Sequence, residues 1–248
     1  MQNNLFNLNN VSKTFKDGTI ALNNINLKIN KGVTTLIGPS GSGKSTLLRM
    51  LNLLEKPTNG NIYYKNEDMT SKGYNLTNHR KKVGMVFQNF HLFPHLSILE
   101  NLNIAQQLVL NKSKAEASQK SLFYLEKVGL LDKINNFPNQ LSGGEKQRIA
   151  IARTLCMDVE TILFDEPTSA LDPEMVKEVL MVMKDLVKES ISLIIVTHEM
   201  EFAKTFSDTI IVLDKGEIVE MGSPKAIFNN PKTIRTKMFI DSISLNFD

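Results

Sequence analysis

With 248 residues, 42% of them hydrophobic, the chain is long enough to bury one substantial core, as a single large domain or as a core with an inserted lobe. Twenty-nine basic against 26 acidic residues leave a net charge of +3 with no block of like charges, so composition gives no support to nucleic-acid binding. The longest apolar run near a strand, Ile191 to Val196, is far short of a membrane span, Met1-Gln2-Asn3-Asn4 lacks the features of a signal peptide, and the lone Cys156 can form no internal disulfide; the expectation is a soluble cytosolic protein with Cys156 as a small buried hydrophobe.

Leu5 to Leu8 and Ile25 to Ile29 alternate apolar with polar residues, the period of half-buried strands, and Asp17-Gly18 between them is a turn signal. The chain therefore opens with antiparallel β structure. Phe15 lies in this segment, and the local sequence leaves open whether its ring stacks on a purine or fills the core or a turn. Next come an apolar run, Val33 to Ile37, the loop Gly38-Pro39-Ser40-Gly41-Ser42-Gly43-Lys44-Ser45-Thr46, and a helix-like stretch from Thr46 to Leu54. Strand, G-x-x-x-x-G-K-[ST] and helix in this order make a phosphate cradle. Glycines 38, 41 and 43 let backbone N–H groups turn inward, and the helix brings its positive dipole end to the same spot. Lys44 can reach the β- and γ-phosphates, and the Ser45 hydroxyl is placed to ligate Mg²⁺. Such a loop implies a nucleoside triphosphate without saying which machine uses it.

Pro57-Thr58-Asn59-Gly60 breaks the pattern, a short strand follows at Asn61 to Tyr64, and Val83 to Phe87 is an apolar strand ending at Gln88. Phe90, Leu92, Phe93 and Pro94 then form an apolar loop that is either core or partner-facing. Ser97-Ile98-Leu99-Glu100 is a capping box that starts a helix at about Ile98, and a second box spans Ser113 to Glu116, with a stop at Gly129. This helical stretch runs to Pro138 as a lobe interrupting an α/β core. Leu141-Ser142-Gly143-Gly144-Glu145-Lys146-Gln147-Arg148 leads into a helix over Ile149 to Cys156, and its two glycines are either an anion-ready helix N-terminus or an ordinary helix start.

Thr161 to Phe164 reads as a buried strand ending in two carboxylates, Asp165 and Glu166. Paired acids at the carboxyl end of an interior strand are not expected for packing; in a P-loop protein Asp165 fits Mg²⁺ coordination and Glu166 can sit by the attacking water. Asp172-Pro173-Glu174 opens a long helix with an N-cap, a proline at the first position and an acid in the first turn. Ser192 to Thr197 is another buried strand ending at His198, for which a structural and a ligand-facing role both stand. A hairpin at Thr209 to Leu213 and Glu217 to Val219, then helices at 223–228 and 232–240, finish the chain. His79, His91 and His95 show no metal spacing and read as surface or loop residues.

Walker A at 38–45, Gln88, LSGGE at 141–145, Walker B at 161–166, SALD at 169–172 and His198, in this order, resemble the ATPase subunit of an ABC transporter over nearly the whole chain. The resemblance implies an α/β P-loop NTPase core, about 1–88 and 159–248, with an N-terminal antiparallel β subdomain and an inserted helical lobe at about 89–158. It further implies an ATPase using ATP and Mg²⁺. Phe15 would stack on adenine, Lys44 and the amides of residues 38–46 would hold the phosphates, and Ser45, Gln88 and Asp165 would coordinate Mg²⁺. Glu166 would polarise the attacking water, and His198 would hold the γ-phosphate and orient that glutamate. Ser142, Gly143, Gly144, Glu145 and Asp172 would face nucleotide, the signature residues acting in trans in a head-to-tail ATP-sandwich dimer with a second copy.

GMVFQNFHLFPHLSILENL, LDPEMVKEVLMVMKDL, VTHEMEFAK and IFNNP resemble the polar amino acid importer group. That places Phe90 to Leu96 against a membrane permease, with a solute-binding protein acting indirectly and the subunit peripheral on the cytoplasmic face of the membrane. Glu145 departs from the family, standing where glutamine is commoner, and could weaken closure or bond the ribose region. The alternatives are an ABC ATPase for lipoprotein release or cell division, or a soluble non-transport switch acting on ribosomes or DNA.

Overall fold

The computed structural model describes residues 4–189 and 191–244, so residues 1–3 of the opening segment lie outside it. In chain order the elements begin with β1 (Asn4–Thr14), β2 (Ile20–Asn30), β3 (Val33–Ile37), α1 (Lys44–Leu51), β4 (Asn59–Tyr64), β5 (Glu67–Asp68), α2 (Leu76–Lys82) and β6 (Val83–Val86). They continue with α3 (Ile98–Leu110), α4 (Lys114–Lys127), α5 (Gly143–Leu155), β7 (Thr161–Asp165), α6 (Pro173–Val187), β8 (Ser192–Val196), α7 (Met200–Phe206), β9 (Thr209–Asp214), β10 (Glu217–Gly222), α8 (Pro224–Asn229) and α9 (Ile234–Ser244). The chain forms two compact units, one from the stretch up to Leu76 together with that from Ser192 onward, the other from Thr77–Ile191.

In the first unit β1 pairs antiparallel with β2 and with β4, setting Phe6 opposite Ile29 and Tyr64, and Leu8 opposite Leu27 and Ile62. Both strands run beyond the alternating segments that predict them. Asn10 and Asn24 take left-handed backbone, φ 49° and 50°, at a shift of register, and such bulges break the alternation that marks a strand. A parallel set follows, with β3 between β8 and β9 and β10 closing the hairpin. Every residue of β3 and β8 is buried, as expected where both faces are covered. Helix α1 starts two residues earlier and stops three earlier than its sequence suggests, because Leu53 turns left-handed at φ 48°. Helix α7, seven residues long, is too short to show a periodicity and was not expected.

In the second unit β6 and β7 pair in parallel. Both expected capping boxes form: Ser97 Oγ accepts from Glu100 N–H while Ser97 N–H donates to the Glu100 carboxylate, and Ser113 with Glu116 repeats the arrangement. Gly129, at φ 69°, ends the helical run. Ile98, Leu102, Leu125, Val128, Leu141, Ile149 and Cys156 share one core, against which Leu92 packs. Burial pushes the Cys156 thiol up to about 11, which leaves it protonated and inert, as expected. His79 corrects the surface assignment: it lies on α2 with 2% exposure, on a short helix that local pattern did not reveal. Among the described residues no helix is long and apolar enough to cross a membrane.

Candidate functional site

The loop after β3 is shaped by backbone crowding. A Cβ on Gly38, at φ 144°, would lie 2.0 Å from Leu213 O, and one on Gly43, at φ 101°, would lie 2.4 Å from Ala21 O. Only glycine fits at either position. At Gly41, φ 73°, a Cβ would meet nothing within 4 Å, so that glycine answers to backbone conformation alone. Gly43 is also the N-cap of α1 and brings no side-chain cap, which leaves the N–H groups of the helix's first turn for another acceptor. Lys44, 4% exposed, donates from Nζ to Gly38 O at 2.9 Å and Pro39 O at 2.8 Å, so its charge is fixed over the loop. Ser42 Oγ is buried without a hydrogen-bond partner. These features suit a polyphosphate, whose oxygens accept from amides and ammonium alike.

His198 reaches the same end of the first unit by register. Leu36 of β3 pairs with Val196 of β8, so Gly38 and His198 each stand two residues past paired positions on neighbouring parallel strands. The imidazole is exposed there. Phe15 occupies the β1–β2 turn, where its N–H donates to Thr19 O at 2.9 Å. With 37% exposure and the Lys13 ammonium 5.1 Å from its ring centroid, it is not a core residue.

The second unit repeats this geometry. Val86 of β6 pairs with Phe164 of β7, so Gln88 and Glu166 also stand two residues past a paired position, with Asp165 buried between strand and loop. Glu166 takes φ 50°, a left-handed conformation that costs a non-glycine residue about 1 to 2 kcal/mol. Ser169 offsets this by donating its N–H and its hydroxyl to Glu166 O at 3.3 and 3.0 Å, so the first residue of the SALD segment holds the glutamate's backbone in this turn. Ser45 in one unit and Gln88 and Asp165 in the other are hard oxygen donors of the kind Mg²⁺ selects.

Helix α5 begins at Gly143, the first of the two glycines, where Ser142 caps it. Ser142 Oγ accepts from Glu145 N–H at 3.2 Å, and Ser142 N–H donates to the Glu145 carboxylate at 2.8 Å. Glu145 thus completes a third capping box, with Lys133 Nζ 3.8 Å from its other oxygen. A glutamine could complete that box as well, so the departure at 145 preserves the helix start. Gly144 N–H donates to Met175 Sδ at 3.3 Å, and Cβ atoms on Gly143 and Gly144 would lie 2.9 Å from Leu171 and 2.8 Å from Met175. Leu171 and Met175 were not anticipated; packing on the signature glycines is visible only in three dimensions. Asp172 holds the N-cap position of α6 but makes no side-chain cap bond, contrary to expectation, so its exposed carboxylate is not spent on the helix. Among the described residues no cluster of three or more His, Cys, Asp or Glu could hold a metal.

Residues 22–169 match the family profile described as ABC transporter. The chain is 53% identical over 234 residues, 94% of its length and 97% of the relative's, to the arginine transport ATP-binding protein ArtM of Bacillus subtilis. It is 49% identical to the glutamate/aspartate import ATP-binding protein GltL of Escherichia coli, covering 96% of this chain and 99% of that one. A solved dimer of the ATP-binding cassette MJ0796 in a post-hydrolysis state with ADP and Pi superposes with a TM-score of 0.79 at 37% identity, over 89% of this chain and 99% of the other.

Proposed function

The chain belongs to the ABC transporter family, and on that premise we propose that it is the ATP-hydrolysing subunit that powers import of a polar amino acid through a separate membrane permease. The observation that carries this reading is the phosphate cradle, with Gly38 and Gly43 admitting no side chain and Lys44 fixed above them, in a chain similar over nearly all its length to amino acid transport ATP-binding proteins. Its fold is the α/β P-loop core with an N-terminal antiparallel β subdomain and a helical lobe, which we assign to about 89–158.

In this reading the amides of residues 38–46 and Lys44 bind the triphosphate, and the Phe15 ring stacks on adenine. Ser45, Gln88 and Asp165 would hold Mg²⁺, whose charge would stabilise the negative charge of the reacting triphosphate. Glu166, its backbone held by Ser169, takes the proton of the attacking water, and His198 steadies the γ-phosphate. A second copy closes head to tail, so that Ser142, Gly143 and Gly144 meet its nucleotide, with Glu145 supporting Ser142 and Asp172 at the same edge. Ser142 Oγ can serve both ends: it accepts from Glu145 N–H and keeps its own proton to donate to a phosphate. The subunit lies peripherally on the cytoplasmic face of the membrane, receiving the signal of a loaded solute-binding protein through the permease.

The permease contact is assigned to Phe90–Leu96. Leu92 of this loop packs on the core, whereas Phe93 is 42% exposed, and Asn101 holds the backbone around it, accepting from Phe93 N–H at 2.7 Å and donating to Phe93 O, Leu96 O and Ser97 O. A rigid loop presenting one apolar ring suits docking better than folding. The test is co-expression with the membrane permease that co-purifies with the chain and that permease's solute-binding protein, and uptake of labelled arginine, glutamine and glutamate into vesicles. ATP-dependent uptake of at least one is expected, lost in Phe93→Glu without loss of ATP binding or a fall in melting temperature. Uptake unchanged by Phe93→Glu would remove the docking assignment, and ATP-independent or absent uptake would remove the importer reading.

A further inference from the structure

The segment after Gln88 is held against the helix that begins at the signature motif. At the start of α5 a Cβ on Gly143 would lie 3.9 Å from the Phe90 ring, and further along Gln147 Nε2 donates to Phe87 O at 3.4 Å. Near the helix's end Arg153 donates from one guanidinium nitrogen to His91 O at 2.7 Å and from another to Phe90 O at 3.2 Å. Phe90 and His91 both adopt left-handed backbone, φ 47° and 49°, two successive non-glycine residues in a conformation that side chains resist. That twist presents both carbonyls to one guanidinium. Burial disfavours the arginine's charge, and neutral carbonyls are its partners among the described residues, so the cation serves to hold this backbone.

We propose that Arg153 is a positioning residue that locks the Phe90-His91 turn to α5, so that engagement of the signature motif by the partner's nucleotide and the setting of Gln88 in its own site change together. The inference rests on the ATP-dimer reading above. A released clamp would let the turn relax to ordinary backbone and α5 move without carrying the loop. Lysine replaces the fork poorly, because its donors sit on one rotatable nitrogen, whereas the guanidinium holds two nitrogens in one plane, each facing its own carbonyl.

The test is hydrogen exchange with and without Mg-ATP in a Glu166→Gln background, which holds the bound state, comparing Arg153, Arg153→Lys and Arg153→Ala. With arginine, ATP should slow exchange in both the Walker A peptide, residues 38–46, and the loop peptide, residues 87–97. In Arg153→Ala the Walker A protection should persist with ATP affinity within about threefold, while loop protection falls at least about fivefold; Arg153→Lys should lie nearer alanine than arginine. A merely structural role would raise exchange across β7 as well, and that result overturns the proposal, as does full loop protection in Arg153→Ala or full rescue by lysine. Should alanine not fold, the lysine variant decides by the same readout. Absence of ATP protection in the Walker A peptide of the arginine protein would overturn the nucleotide reading itself, and the proposal with it.

Discussion

Lys44 Nζ is held within hydrogen-bond distance of Gly38 O and Pro39 O, so the cation is placed before any ligand arrives. Its removal should therefore act on binding ahead of chemistry. Lys44→Ala is expected to weaken ATP binding by about 1.5 to 3 kcal/mol, the worth of a hydrogen bond to a charged group, or roughly 10- to 150-fold in a titration. Unchanged affinity together with unchanged turnover would contradict the phosphate cradle. Glu166 is a different kind of residue, because its backbone conformation rather than its charge sets it apart: a left-handed φ pinned by two bonds from Ser169. Its identity as one of two terminal strand acids was legible in the sequence. The strain was not, since φ at a glutamate has no sequence signature.

At the scale of elements, what could be read was what is local. The boxes at Ser97 and Ser113 are contacts between residues three apart, and the helices start where they indicate. The parallel strands β3, β7 and β8 are continuous apolar runs, and each ends within about a residue of its expected position. Helix α5 opens at the two glycines, a helix start in either reading of that segment, but only Leu171 and Met175 packing on them shows why small residues stand there. The tie from Arg153 to Phe90 and His91 spans about 60 residues and has no local trace. The boxes also set a pH dependence. Hydrogen bonds from the Ser97 side chain and backbone hold the Glu100 carboxyl below its usual range, and those from Ser113 do the same for Glu116. A carboxyl whose folded pKa is depressed adds stability that is present above its unfolded pKa and is lost as pH falls through the folded one. The melting temperature should therefore drop on acidification below the ordinary glutamate range. In Glu100→Gln/Glu116→Gln, where the amides keep the bonds without titrating, the drop should be shallower; an identical pH profile would show that the boxes contribute nothing.

For the whole molecule, one copy carries both a phosphate cradle and a signature helix, and the proposed function uses them on different nucleotides: the cradle on its own, the signature on its partner's. A dimeric cassette is known among its structural relatives. If the proposed function holds, ATP should form the dimer and hydrolysis should undo it, so blocking the chemistry should trap it. The most direct test is to measure steady-state ATP hydrolysis and molar mass in solution for the parent and Glu166→Gln side by side. The parent should hydrolyse ATP and remain largely monomeric, while the variant should bind ATP, turn over about 10² to 10⁴ times more slowly and accumulate as an ATP-bound dimer. Turnover of Glu166→Gln within a few-fold of the parent, with no ATP-dependent dimer, would contradict the assignment of this chain as an ATPase driven by Glu166.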